Sequence, residues 1–398
     1  MSIASLINPL GQVSVQDSLW HIALSTNSGQ TDFKYVYDLF NSTNQLIRVK
    51  IYPDPTNGQG YFDAGSVIRN EMKYDWFTPD YFGTDKVFLN QPNVSGQIAV
   101  TYQVRVGEDY SGTTYLNLAS GEVTAYNFAT PLFNRKQDSV LRNRIWLSNR
   151  PKFAKCRMAD KFLIPYKSSS STISLRIRTY NFNNTLITTG LISIPKSASN
   201  PFCQFDIGPT AINNDITGII GGIINESTVK YYTVAEQITP EGTYGELFTI
   251  YLNCEPRYTS INLFFINAWG MFDTACFGLA SRLNMDIERK AFQQREYSLN
   301  TYSVDYFNDY NVYNESKINY GSKSNWTYKL TMNFPTDAEY QWLAELIQSP
   351  QMYAEFEDCY YPVTIKATTY EYSKNQNNRL KSFEVEIEMN QTRYGFLR

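Results

Sequence analysis

Apolar and polar residues alternate over one stretch of this chain after another, and that period of two commits it to strands that each bury one face. Ile98, Val100, Tyr102, Val104 and Val106 form one such stretch, and Ile173, Leu175, Ile177 and Thr179 form another. Near the C-terminus Phe383, Val385, Ile387 and Met389 alternate with Glu384, Glu386 and Glu388. This describes an antiparallel-type strand with its acidic face in solvent. Turn signals such as Asp54-Pro55-Thr56-Asn57-Gly58 and Asn183-Asn184 separate the strands at sandwich spacing. Aromatic residues make up 15% of the chain, and they favour pleated surfaces and contact faces. The expected fold class is mainly β.

One helix interrupts the pattern. Thr336-Asp337-Ala338-Glu339 has the form of a capping box, and Tyr340, Leu343, Leu346 and Ile347 follow at helical spacing until Pro350. The helix is expected near 336–348, packed on a sheet. There is also an internal echo. Phe62-Asp63-Ala64-Gly65 follows the segment Leu46–Pro53, and Phe205-Asp206-Ile207-Gly208 follows Leu191–Pro195, 143 residues later. A chain of 398 residues is expected to form about three domains. We therefore expect two tandem antiparallel β-sandwich (Ig-like) domains, 1–143 and 144–291. A smaller α+β domain with one helix would follow at 292–398, carrying an extended Tyr/Asn-rich arm at 302–320.

The chemistry-bearing residues are sparse. His21 is the sole histidine, so two-histidine metal sites are excluded and any Ser-His-Asp or Cys-His arrangement must pass through it. An ordinary strand or loop histidine is the expected role. Cys156, Cys203, Cys254, Cys276 and Cys359 are odd in number and lack a C-x-x-C pair, so they read as buried small apolar residues. Asp54-x-Thr56-x-Gly58 departs from a calcium loop, and no phosphate- or dinucleotide-binding glycine motif is present. Asp305 with Asp309, or Glu384 with Glu388, are the carboxylate pairs a glycosidase would need. Glutamates alternating along one strand describe a solvated face instead. No enzyme activity and no cofactor are expected.

Thirty-five basic residues against 38 acidic ones leave no positive field to hold a polyanion, so nucleic acid is not expected as the main partner. No apolar run reaches membrane-spanning length, and the N-terminus lacks the form of a secretion signal. Contact surfaces are expected where aromatics concentrate. In the arm these are Tyr302, Tyr306, Phe307, Tyr310, Tyr313 and Tyr320, and beyond it Tyr360, Tyr361, Tyr370 and Tyr372. The partners would be copies of the chain itself and other proteins, with a glycan as the alternative.

Three strings carry a family resemblance. Asp32-Phe33-Lys34-Tyr35-Val36-Tyr37-Asp38-Leu39, leading to Gly60-Tyr61-Phe62-Asp63, is the first. The second is Leu263–Asp273, followed by Asp286-Ile287-Glu288-Arg289-Lys290, and the third is Glu339–Pro350. They resemble virion proteins of tailed phages of Bacteroidota, including crAss-like phages. That resemblance implies a structural tail or head-to-tail connector component, of the kind that forms rings or baseplates. The chain would be made in the host cytoplasm, reside in the virion and carry no catalytic residues. A receptor- or glycan-binding role at the tail tip or capsid surface is the alternative.

Overall fold

The computed structural model describes residues 3–9, 12–41, 44–72, 85–90, 98–119, 121–129, 144–197, 200–216, 222–238, 245–252, 258–279, 281–293, 316–333, 336–357, 359–366, 382–390 and 393–394. The fold is mainly β, with 26 strands and three helices among these residues. It divides into two compact units. One comprises residues 1–256, 264–276 and 337–350, the other residues 257–263, 277–336 and 351–398.

The first unit opens with a sandwich built from β1 (Ile3–Ile7), β2 (Gln12–Ser14), β3 (Trp20–Ser25), β4 (Lys34–Asn41), β5 (Asn44–Ile51), β6 (Gln59–Asp63), helix α1 (Gly65–Asn70), β8 (Ala99–Tyr110), β9 (Thr113–Ala119) and β10 (Val123–Tyr126), while β7 (Phe88–Asn90), between α1 and β8 in the chain, joins the sandwich that follows. One sheet has the order β1-β3-β6, the other β2-β10-β8-β4-β5, with β9 on β8. The alternation read from the sequence is what closes the core. Val100, Tyr102, Val104 and Val106 of β8 meet Tyr35, Tyr37 and Leu39 of β4 and Phe62 of β6 in one apolar cluster. Asp38, between Tyr37 and Leu39, is also buried, and Arg48 grips its two carboxylate oxygens at 2.6 and 2.7 Å.

A second sandwich repeats the plan with β11 (Arg144–Trp146), β12 (Phe153–Cys156), β13 (Leu163–Ser168), β14 (Thr172–Tyr180), β15 (Leu186–Pro195), β16 (Phe202–Asp206), helix α2 (Pro209–Asp215), β17 (Tyr231–Glu236) and β18 (Phe248–Leu252). Its sheets run β11-β13-β16-β7 and β12-β18-β17-β14-β15. Strand for strand this is the order of the first sandwich. Even the register repeats, since Trp20 faces Asp63 and Leu163 faces Asp206, each 143 positions on. The Asn183-Asn184 turn joins β14 to β15, with Asn184 in the left-handed region and Asn181 Oδ1 accepting from the backbone N–H groups of Asn183 and Thr185. Each sandwich departs from uniformly antiparallel pairing at one place, because β2 runs parallel to β10 and β12 parallel to β18. The chain changes sheets just before β2 and β12, and so enters the second sheet in the direction of its last strand.

The Phe-Asp-x-Gly echo has a structural basis. Asp63 Oδ1 accepts from the N–H groups of Leu19 and Gly65 at 2.7 and 2.9 Å, and Asp206 Oδ1 accepts from those of Phe162 and Gly208 at 2.9 and 2.8 Å. Each carboxylate thus ties the start of a helix to a strand entry across the sheet. The glycine is needed for closeness. A Cβ at Gly65 would lie 2.8 Å from the carbonyl oxygen of Asp17, and one at Gly208 would lie 2.6 Å from that of Asp160.

The first unit also holds the second half of β19 (Ile261–Ile266), most of β20 (Phe272–Phe277), the turn between them, and helix α3 (Asp337–Gln348). Asn267 organises the turn, its Oδ1 accepting from Trp269 N–H and its amide nitrogen donating to the carbonyl of Leu147. The helix is fastened by polar contacts. Trp342 Nε1 and Ser148 Oγ both donate to Asp273 Oδ2, at 2.9 and 2.6 Å, and Glu345 accepts from Ala268 N–H and Asn149 Nδ2. Burial pushes the Asp273 carboxyl up to about 7 against the opposing pull of those two donors. The strings 263–273 and 339–350, separate in sequence, therefore meet.

The second unit contains β21 (Arg282–Gln293), β22 (Lys317–Asn333), β23 (Met352–Phe356), β24 (Cys359–Ile365), β25 (Ser382–Met389) and β26 (Arg393–Tyr394). Their order is β23-β24-β25-β22-β21, with β26 also on β22.

These groupings differ from the boundaries expected at 143 and 291. Strand β7 falls within 1–143 yet pairs with β16, and Val87 beside it is buried in the second core. Strand β21 runs across the expected boundary at 291 and forms a long ladder with β22 in the second unit. Helix α3 belongs with the first unit because its polar anchors, Asp273 and Asn149, lie there. Two cysteines also differ from expectation. Cys156 and Cys203 are buried, but Cys276 is half-buried and Cys359 is exposed beside the turn at Glu357; Cys254 lies outside the described residues.

Candidate assembly surface

Period two in the second unit sorts its side chains into two faces. Across β21, β22, β25 and β24, Leu283 faces Tyr328, Tyr328 faces Ile387, and Ile387 faces Ile365. One position along, Asn284 faces Thr327, Thr327 faces Glu388, and Glu388 faces Thr364. The sheet is apolar on one side and polar on the other. The polar side explains the alternating glutamates. Lys329 lies 2.7 Å from Glu384, and Lys366 lies 3.6 Å from both Glu386 and Asp286. Glu384 and Glu386 are thus members of an exposed ion-pair ladder.

The apolar side is covered unevenly. Leu330, Val385, Ile387, Val363 and Met352 are buried, and Trp326 and Tyr328 are half-buried. On β21 the cover ends: Leu283, Met285 and Ile287 are 46%, 47% and 42% exposed, and Phe292 is 49% exposed. Single exposed apolar residues are ordinary, whereas a contiguous row on one strand marks a contact face. Strand β21 is also the last in its sheet, so its outer backbone groups pair with no strand among the described residues.

Beside Trp326 the same face sinks into a hollow of about 560 Å³, lined by Trp326, Tyr328, Phe356 and Tyr361 with Glu355 and Glu357. The Tyr328 and Phe356 rings lie 4.5 Å apart. Asn262 and Tyr360 donate to the two carboxylate oxygens of Glu355, at 2.7 and 3.1 Å. A second groove, in the first unit beside α3, is lined by Asn149, Ala268, Trp342 and Glu345. Both oxygens of its Glu345 are already engaged by Ala268 and Asn149.

Of the aromatic residues expected to make contacts, Tyr320 is exposed, its ring 6.2 Å from that of Phe292. Tyr361 lines the hollow and Tyr360 holds Glu355. Tyr302, Tyr306, Phe307, Tyr310, Tyr313, Tyr370 and Tyr372 lie outside the described residues, as do Asp305 and Asp309. The expected arm at 302–320 is strand at its end, because Lys317, Ile318 and Asn319 pair with Gln293, Phe292 and Ala291. Leu283, Met285 and Ile287 were passed over, although their alternation with Asn284, Asp286 and Glu288 is as regular as that of β25.

His21 is a buried strand residue. Its Nδ1 lies 2.9 Å from Asn8 Oδ1 and its Nε2 3.2 Å from the Tyr102 hydroxyl. Burial pushes the imidazole down to about 4, against the opposing pull of the Asp63 carboxylate. Among the described residues no cluster of three or more His, Cys, Asp or Glu side chains is placed to hold a metal ion, and no helix is long and apolar enough to cross a membrane.

No family model matches the chain, and no curated protein matches it. Two solved structures show what it is similar to. The FN1–FN3 domains of chicken CNTN1 share 10% identity over 64% of this chain and 66% of that one, at a TM-score of 0.21. A putative membrane anchored protein from Corynebacterium diphtheriae shares 9% identity over 82% and 86%, at a TM-score of 0.15.

Proposed function

We propose that this chain is a structural protein of a bacteriophage virion, a tail or head-to-tail connector component that works by protein–protein contact and catalyses no reaction. The observation that carries the reading is the half-covered apolar face of the second unit. A twelve-residue edge strand, with no partner on its outer side among the described residues, and an exposed apolar row occur there together, and edges of this kind are templates for pairing with another chain. The tandem sandwiches suit a scaffold that spaces such surfaces. Light scattering over a dilution series, with negative-stain imaging of any large species, tests the reading. A discrete oligomer or ring supports it, and a chain that stays monomeric both alone and when co-expressed with neighbouring virion proteins rejects it.

The hollow favours one second reading, a receptor- or glycan-binding protein at the tail tip or capsid surface. Aromatic faces with a carboxylate rim suit sugar stacking and hydroxyl hydrogen bonds. Saturable binding to host polysaccharide, lost in Trp326→Ala and Tyr361→Ala, would establish it.

A further inference from the structure

Resting on the assembly reading, we propose that β21 is a two-fold joint, its outer edge, which has no partner among the described residues, pairing antiparallel with β21 of a second copy about an axis at Met285. Three features of the strand point to this occupant. Its ladder with β22 is regular from Arg282 to Lys290, so it offers a straight edge, and it contains no proline to block pairing. Its exposed row of Leu283, Met285 and Ile287 would remain in water if the edge stayed free.

The third feature is self-complementarity of charge. Residues opposite each other in an antiparallel pair share a face, so each two-fold register fixes which charges meet. An axis at Asp286 sets Asp286 on its own copy and Arg282 against Lys290. An axis at Ile287 sets Asp286 against Glu288, and one at Glu288 sets that residue on itself. The axis at Met285 avoids all of these. It places Arg282 opposite Glu288 twice, Asn284 opposite Asp286 twice, Leu283 opposite Ile287 twice, and Met285 on Met285. An axis at Asn284 is also free of like-charge clashes, but it shortens the overlap and leaves Ile287 without an apolar partner. Favourable pairing thus falls on both faces in the 285 register.

An isologous joint closes at two copies. It would tie chains in pairs, or rings face to face, and any ring would need a different surface.

The test joins a cross-link to a charge swap in the full-length chain. In a Cys359→Ser parent, Met285→Cys places two thiols at the axis, and mild oxidation is expected to give a covalent dimer that the parent does not form. Glu288→Arg sets Arg against Arg282 twice and is expected to weaken dimerisation roughly ten-fold in Kd. Adding Arg282→Glu is expected to restore it. Both positions are exposed, and because Glu288 also faces Lys323 in its own sheet, circular dichroism and thermal melting of each variant separate loss of the joint from loss of the fold. A larger species without the Met285→Cys cross-link, or one indifferent to Ile287→Glu, overturns the joint and leaves the assembly reading intact. A monomer that forms no cross-link at any concentration also overturns it. The assembly reading fails as well only if co-expression with neighbouring virion proteins yields nothing larger.

Discussion

The two sandwiches share strand order, register and the Asp-Gly tie, yet they differ in what they bury beside it. At the position next to the tie on the facing strand, the first sandwich has His21 and the second has Ile164, 143 residues on. Asp206 is buried, whereas Asp63 is half-buried. The second sandwich also carries β7 on its β16 edge, while β6 has no such partner among the described residues. One architecture therefore tolerates either an ionisable or an apolar residue at a given core position. The difference should appear in how each sandwich responds to loss of a carboxylate, to acid and to loss of an edge.

Removing the tie should have the largest effect. Asp206→Ala leaves the N–H groups of Phe162 and Gly208 without their acceptor in a dry site, and about 4 kcal/mol of stability should be lost. Asp63→Ala orphans the N–H groups of Leu19 and Gly65 where water can partly replace the carboxylate, so about 2 kcal/mol is expected. Urea denaturation with unchanged m-values would check both. Equal losses would mean that the difference in burial between the two sites has no energetic weight.

Acid should separate the sandwiches in opposite directions. His21 titrates near 4 in the folded chain against 6.5 unfolded, so the unfolded state takes up its proton first. Its contribution is whole above about 6.5 and fades as the pH falls through 4, a loss of about 3 kcal/mol. Burial raises Asp206 from 3.8 to about 6, against the opposing hydrogen bonds from Gly208 and Phe162. Its contribution is whole below 3.8 and fades as the pH rises through 6, again by about 3 kcal/mol. From pH 6 to pH 4, protection of the amides against exchange, taken relative to the intrinsic rate at each pH, should therefore fall in β3 and rise in β13 and β16. His21→Ile, which copies the second sandwich, should abolish the acid loss at the cost of the Asn8 and Tyr102 contacts. Parallel behaviour of the two sandwiches would break the comparison.

Much of this repeat was legible because the tie is local in pattern. A strand end, an Asp and a Gly two residues on are enough to mark it, and the alternation of β8, β14 and β25 reports directly on which side chains are buried. What depended on distant partners was not legible. Nothing in Val87-Phe88-Leu89 says that it will pair with Phe205, more than a hundred residues away. Nor does the helical spacing of α3 say which sheet it will join. The tyrosine excess points to pleated strands and to contact surfaces alike, and much of it belongs to the strands' core. Tyr35, Tyr37, Tyr102, Tyr166 and Tyr232 are fully buried, and the hydroxyls of Tyr35, Tyr37 and Tyr232 reach the backbone carbonyls of Gly58, Gly60 and Ile207. A phenol with an internal acceptor is a core residue, and composition does not reveal whether that acceptor exists. The candidate surface was readable in the alternation of 283–287, but only the pairing of β21 with β22 shows that its apolar row lies uncovered.

The edge difference gives the smallest effect and the most local one. Val87 is wholly buried in the second core, its N–H donates to Asp215 at 2.7 Å, and its carbonyl accepts from Asp206 N–H at 2.9 Å. Val87→Ala keeps both backbone bonds and removes two methyl groups, so about 1.5 kcal/mol should be lost. Because β7 covers only the β16 edge, faster amide exchange should appear in β16 and α2 and not in β6 or α1. Exchange that quickens equally in both sandwiches would mean that they open as one cooperative body. Quickening confined to β16 and α2 would show that an inserted strand stabilises one copy of a repeated fold and leaves the other to its own edge.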